Sequence, residues 1–89
     1  MRALEMIVDE QPGGVYTLRV PEIASVFVTN QLGVDIVGKL VDADLSADEV
    51  VAWVRVKYPD VPAARAESDV RAFLSRAREK GVVLSDDAD

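Results

Sequence analysis

The 89-residue sequence contains neither cysteine nor histidine. Without cysteine there is no disulfide framework and no thiolate metal site. Without histidine the chain lacks the commonest general base, zinc ligand and nucleophile activator near neutral pH. Aromatic residues are scarce: one Trp, two Tyr and two Phe. No stretch reaches the roughly 18 consecutive apolar residues of a membrane-spanning helix. The N-terminal "MRALEMIVDE" is too acidic, and its apolar run too short, for a signal peptide, so a cytoplasmic location is expected. Basic residues are also in the minority, ten against sixteen acids, for a net charge of −6. Nucleic-acid binders usually carry the opposite balance, because neutralising phosphates supplies much of their affinity.

What is present is a globular composition, 49% hydrophobic, in a chain of one-domain size. A domain this small buries only about 60–65% of its unfolded surface, so a modest stability is expected. The charge is unevenly spread. From Ala63 to Lys80 there are five bases (Arg65, Arg71, Arg76, Arg78, Lys80) and three acids (Glu67, Asp69, Glu79), a balance of +2. The total of −6 then leaves −8 for the remainder.

Residue types along the chain predict three strands and then three helices. Leu4 to Asp9 is the first expected strand, closed by the breaker "EQPGG". Val15 to Val20 and Ser25 to Thr29 follow, rich in branched and aromatic residues and separated by a turn at Pro21 and Glu22. In the third strand Val26 and Val28 share one face, expected to meet the core, and Ser25, Phe27 and Thr29 share the other. Asn30 is a good N-cap for a helix through "QLGVDIVGKLVDA", with Leu32, Ile36, Val37 and Leu40 at helical spacing. Gly33 and Gly38 weaken that helix, and glycine in a helix often marks close packing against another element. Ser46 and Glu49 form a capping box for a second helix, which stops before Pro59. A third runs from Ala63 to Lys80 with Ala66, Val70, Phe73, Leu74 and Ala77 on one stripe and Gly81 as its cap. Val82 to Leu84 could add a short extended return. The expected architecture is an α+β, winged-helix-like domain over residues 1–84, a three-stranded antiparallel sheet followed by three helices, with an acidic flexible tail over 85–89.

The candidate catalytic groups have simpler roles. Asp42/Asp44 and Asp48/Glu49 lie where carboxylates cap helices or favour their dipoles. Ser46 is a cap, and Gly13-Gly14 lacks the lysine and helix of a phosphate loop. Asp86, Asp87 and Asp89 could hold a cation only weakly. No enzyme activity, cofactor or metal is expected. A small winged-helix DNA-binding regulator is the alternative, with the basic third helix as reader. That helix would present Ser68, Ala72, Ser75 and Glu79 outward, which offer no long donors to base edges. Peptide binding rests on "SVFVTN", which has no charge and no proline. Exposed strand edges normally carry such blunting residues, and an unblunted one can accept another strand.

The sequence resembles the PqqD-like peptide chaperones, the recognition elements of ribosomal-peptide natural-product pathways. The resemblance spans roughly Val15 to Leu84. It rests on "VFVTN" before the first helix, "LSADEVVAWVRVKYPDV" across the second, and "SDVRAFLSRAREKGVVL" at the end. In the last of these Asp69, Val70, Phe73, Leu74 and Gly81 match. Thr29 stands where leucine is usual, "DADL" where "DG" is common, and Ala77 where leucine is usual. The resemblance implies a non-catalytic adaptor that binds a precursor's leader peptide as an added strand between the third strand and third helix. It passes that precursor to a maturation enzyme, with no nucleic-acid or membrane partner, as a monomer or weak dimer. The implied peptide-binding residues are Ser25, Val26, Phe27, Val28 and Thr29 on the strand and Asp69, Phe73, Arg76 and Lys80 on the helix. Arg71, Leu74 and Arg78 are the opposite-flank alternative, and Phe73 reads equally as core. The stand-alone chain and "KYPDVPAARAESDV" are most like the leader-binding proteins of lasso-peptide clusters, whose partner is a separate leader peptidase. The pyrroloquinoline-quinone chaperone, partner of a radical-SAM enzyme, comes second.

Overall fold

Gly13 and Gly14 both sit at positive φ, 82° and 76°, and turn the chain through its first hairpin. Only glycine adopts that backbone without strain, which is why the turn falls there. The structure, a computed structural model, describes residues 1–84; the acidic tail expected over 85–89 lies outside the described residues. The hairpin joins β2 (Ile7–Gln11) to β3 (Val15–Val20), and β3 pairs in turn with β4 (Ser25–Thr29). All pairings are antiparallel, in the order β2-β3-β4. Three helices follow: α1 (Gln31–Asp42), α2 (Ala47–Lys57) and α3 (Ala63–Glu79). This is the expected α+β, winged-helix-like order.

The ends of the described chain depart from expectation. Arg2–Ala3 (β1) and Val83–Leu84 (β5) form a separate two-stranded antiparallel ladder. The possible return at Val82 to Leu84 is therefore real, and its partner is a segment not expected to be extended. The first long strand starts at Ile7 rather than Leu4 and runs on to Gln11. Glu10 and Gln11, expected in the turn, pair with Tyr16 and Val15. The break falls at Pro12, Gly13 and Gly14 only, because glutamate and glutamine can continue a ladder.

Local signals are realised where local chemistry suffices. The Asn30 side chain accepts a hydrogen bond from the Gly33 N–H at 3.1 Å. Ser46 and Glu49 form both halves of the capping box. Gly81 takes φ 77°, and the Val82 N–H closes back on the Ala77 carbonyl at 2.9 Å. One core joins Leu18, Val20 and Phe27 of the sheet to Ile36, Val37 and Leu40 of α1. Val50 and Val54 of α2 belong to it, as do Val70, Phe73, Leu74 and Ala77 of α3.

The faces of β4 are the reverse of those expected. Phe27 is buried at 6% exposure, while Val26 and Val28 are 56% and 64% exposed. The Phe27 ring meets Phe73 of α3 edge to face, centroids 5.7 Å apart. Burying an aromatic ring removes far more surface from water than burying a valine. One phenylalanine with an aromatic partner outweighs two valines.

Candidate functional site

β4 is an edge strand. Its inner side pairs with β3 from Tyr16↔Thr29 to Val20↔Ser25, and among the described residues no strand pairs with its outer side. Two contacts set it against the helices. The Ser25 hydroxyl donates to the Lys80 carbonyl at 3.2 Å, tying the start of β4 to the end of α3. At the other end Thr29 packs on Gly33 of α1. A Cβ on Gly33 would clash with the Thr29 hydroxyl, lie 2.9 Å from Thr29 Cβ and 2.7 Å from the Phe73 ring. Gly33 thus lets β4, α1 and α3 meet at one point, as close packing by a helical glycine predicts.

A groove of about 290 Å³ opens beyond this point, lined by Asn30, Leu32, Gly33, Arg65, Asp69, Ala72, Phe73 and Arg76. It continues along α3 into an apolar pocket that shares Leu32, Arg65 and Asp69 and adds Val54, Tyr58, Val61 and Ala66. Asp69, Phe73 and Arg76 are therefore brought together beside the end of β4. Ser25 to Thr29 and Lys80 do not line the groove; its strand side begins at Asn30. Phe27 contributes backbone to the edge while its ring lies in the core, and Phe73 is 3% exposed. The Val26 and Val28 side chains project from the sheet face turned away from the helices. On the alternative flank Arg71 reaches Asp48 of α2 at 2.5 Å and Glu67 at 3.0 Å, Leu74 is buried, and Arg78 is exposed.

Charge along this flank is graded. Arg65 pairs with Asp69 at 3.6 Å. Arg76 and Lys80 are exposed and make no ion pair among the described residues. The Ser25 end is thus cationic, while the far end is apolar. Tyr58 closes the apolar end. Its hydroxyl donates to Asp35, and Asp35 also accepts from Gln31 Nε2 at 2.8 Å. That hydrogen bond to Asp35, with burial and the carboxylate charge adding, pushes the Tyr58 pKa up to about 12. Leu32, Gly33, Arg65 and Tyr58 were not foreseen as site residues. The helical glycine at Gly33, three residues after the N-cap, was the one signal that could have marked the junction.

Three of the four paired carboxylates have structural roles, whereas Asp42 ends α1, where a carboxylate opposes the helix dipole. Asp44 holds the Met1 amino group at 2.8 Å, Asp48 holds Arg71, and Glu49 completes its capping box. No group of three metal-ligating side chains occurs among the described residues, and Asp86, Asp87 and Asp89 lie outside them. No described helix is long and apolar enough to cross a membrane.

Fold and site together define a small α+β domain of the winged-helix type with one sheet edge open beside a helix-walled groove. The family model described as "Coenzyme PQQ synthesis protein D (PqqD)" matches residues 7–83, and the chain belongs to the PqqD family. No curated protein matches it. Among solved structures it is similar to one described as "TbiB1 in Complex with the TbiA(beta) Leader Peptide", with 20% identity, a TM-score of 0.69 and the whole of each chain covered.

Proposed function

We propose that this protein is a non-catalytic adaptor that captures the leader region of a ribosomal precursor peptide as a fourth strand on the free edge of β4. It then delivers the precursor to a maturation enzyme in the cytoplasm. The observation that carries this reading is the open edge of β4: five residues without charge or proline, paired on one side only among the described residues. Strand addition draws affinity from backbone hydrogen bonds and specificity from alternate side-chain pockets. The binding residues are the backbone of Ser25, Val26, Phe27, Val28 and Thr29 and the helix wall Asp69, Phe73, Arg76 and Lys80. Membership of the PqqD family supports the reading. So does the leader peptide bound to the similar TbiB1. The enzyme we favour is a lasso-peptide leader peptidase, ahead of a radical-SAM enzyme of the pyrroloquinoline-quinone type.

Fluorescence anisotropy with labelled leader peptides tests this. Saturable binding is expected, with no cleavage or modification of the precursor by the purified chain alone. Mixed-sequence duplex DNA should not bind even at about 50 mM salt, where phosphate-contacting proteins bind well. Salt-sensitive DNA binding without leader binding would replace the adaptor by the winged-helix regulator.

A further inference from the structure

Gly33 and Gly38 sit in one helix, but among the described residues only Gly33 packs closely against another element. A Cβ on Gly38 would meet nothing within 4 Å. Glycine is the least favourable residue in a helix interior apart from proline. At Gly38 no neighbouring element repays that loss. Its bare backbone instead lines an open groove of about 350 Å³, with Val34, Val37 and Val41 of α1 and Met6 and Val8 of the β2 side. Val8 and Val41 are 44% and 39% exposed. The charged residues lining this groove are Glu5 and Asp42, and neither makes an ion pair among the described residues. The groove lies at the edge of the sheet opposite β4.

We propose that the α1–β2 groove is a second docking site, which takes a short amphipathic helix of the processing enzyme. Small apolar residues of that helix would pack over Gly38, and its lysines or arginines would pair with Glu5 and Asp42. The chemistry selects a helix rather than a strand. The β2 edge carries Asp9 and Glu10, charges of the kind that blunt strand addition. Val34, Gly38 and Val41 recur at helical spacing, and a glycine among them lets another helix backbone approach closely. Charge selects a basic partner. A second copy of this chain fits poorly. Arg19, Arg65 and Arg71 are already paired, and Lys39 and Lys57 lie over the Trp53 ring. Arg76 and Lys80 border the proposed leader site, which leaves Arg2, Arg55 and Arg78 for a second copy. A closed dimer would have to make the contact between bases and groove twice, once in each direction. The assignment of the partner rests on the adaptor reading; the groove itself does not.

The experiment uses the full chain, its labelled leader peptide and the purified peptidase that removes that leader. Peptidase affinity is measured by biolayer interferometry and leader affinity by anisotropy. Gly38→Leu should weaken peptidase binding at least tenfold and leave leader affinity within twofold. Gly38→Ala should raise the melting temperature and still weaken peptidase binding, a combination that a merely structural glycine would not produce. Glu5→Lys with Asp42→Lys should weaken it further at low salt. Unchanged peptidase affinity in these variants overturns the groove, as does a parallel loss of leader affinity. Dimerisation of the wild type that Gly38→Leu abolishes would overturn the chosen occupant. Absent leader binding by the wild type would overturn the adaptor reading instead, and the groove would then stand or fall on the peptidase measurements alone.

Discussion

The sheet has two edges, and each runs beside a helix, but the edges are built differently. The β4 edge is uncharged and stands next to α3, whose free cations Arg76 and Lys80 are exposed. The β2 edge carries Asp9 and Glu10 and stands next to α1, with Glu5 and Asp42 around the groove. The first edge is suited to backbone pairing, since nothing on it repels an incoming strand. The second is suited to side-chain packing. The same contrast separates the two glycines of α1. Gly33 is enclosed by Thr29 and Phe73, whereas Gly38 faces open space. A small domain can thus offer two unlike surfaces by placing its acidic and basic residues at opposite ends of one sheet.

Proline substitution should break the comparison most strongly. Proline removes a backbone donor and fixes φ, which a paired strand does not tolerate. Adjacent residues alternate, so only one of Val26 and Phe27 directs its N–H to the free edge. Val26→Pro and Phe27→Pro should therefore differ: one retains the fold and loses leader affinity by about tenfold or more, the worth of one or two backbone hydrogen bonds. The other damages the domain. Phe27→Ala controls for the loss of the buried ring. On the opposite edge Val8→Pro should leave leader affinity unchanged in whatever fraction folds. Anisotropy with circular dichroism decides. If the β4 proline variant that keeps the fold binds as the wild type does, the edge is not the site.

The glycines sharpen the contrast in stability. Gly33→Ala gains up to about 1 kcal/mol of helix propensity, but the methyl must displace Thr29 and the Phe73 ring, and overpacking typically costs about 1–3 kcal/mol. A net loss is expected. Gly38→Ala keeps the propensity gain and displaces nothing, so it should stabilise by up to about 1 kcal/mol. Urea unfolding of the two variants should move the midpoint in opposite directions; a shift of the same sign in both would refute the packing argument.

Arg76→Glu should weaken an acidic leader while changing stability by less than about 1 kcal/mol, because exposed charges contribute little to folding. The loss should shrink as salt rises, since screening already weakens the wild type. The smallest effect is at Tyr58. Its pKa in the folded protein is raised to about 12 from the ordinary 10.0. The unfolded chain therefore loses this proton first, and stability falls as pH rises through that window. Tyr58→Phe should lower stability at neutral pH by removing the bond to Asp35 and should flatten the decline between about pH 10 and 12. An unchanged alkaline slope would assign that decline to other groups.

Much of the fold was legible because its signals are local. Asn30, the Ser46–Glu49 box, Pro59 and Gly81 each act within four residues of themselves, so helix limits followed from residue type. Of the short ladder between Arg2–Ala3 and Val83–Leu84, the C-terminal strand was legible as a possible return, and its partner was not. Two-residue strands carry no periodicity, and this pair exists only because α3 returns the chain to its start. The site was legible in part. Asp69, Phe73 and Arg76 were implied by the family resemblance, while Leu32, Gly33 and Tyr58 join them in the groove only through the packing of α1 and α2 on α3.

Composition alone determined a small acidic domain without thiol or imidazole chemistry, and the order of the residues determined its α+β class, its one basic helix and its one unblunted strand. Alternation in β4 also determined that Val26 and Val28 would lie opposite Phe27, because successive side chains in a strand must point to opposite faces. Which face turned inward was decided only in three dimensions. The Phe73 ring on α3, 46 residues further along the chain, supplied an edge-to-face partner that the valines lacked. That same contact set β4 against α3, leaving its outer edge open beside Arg76.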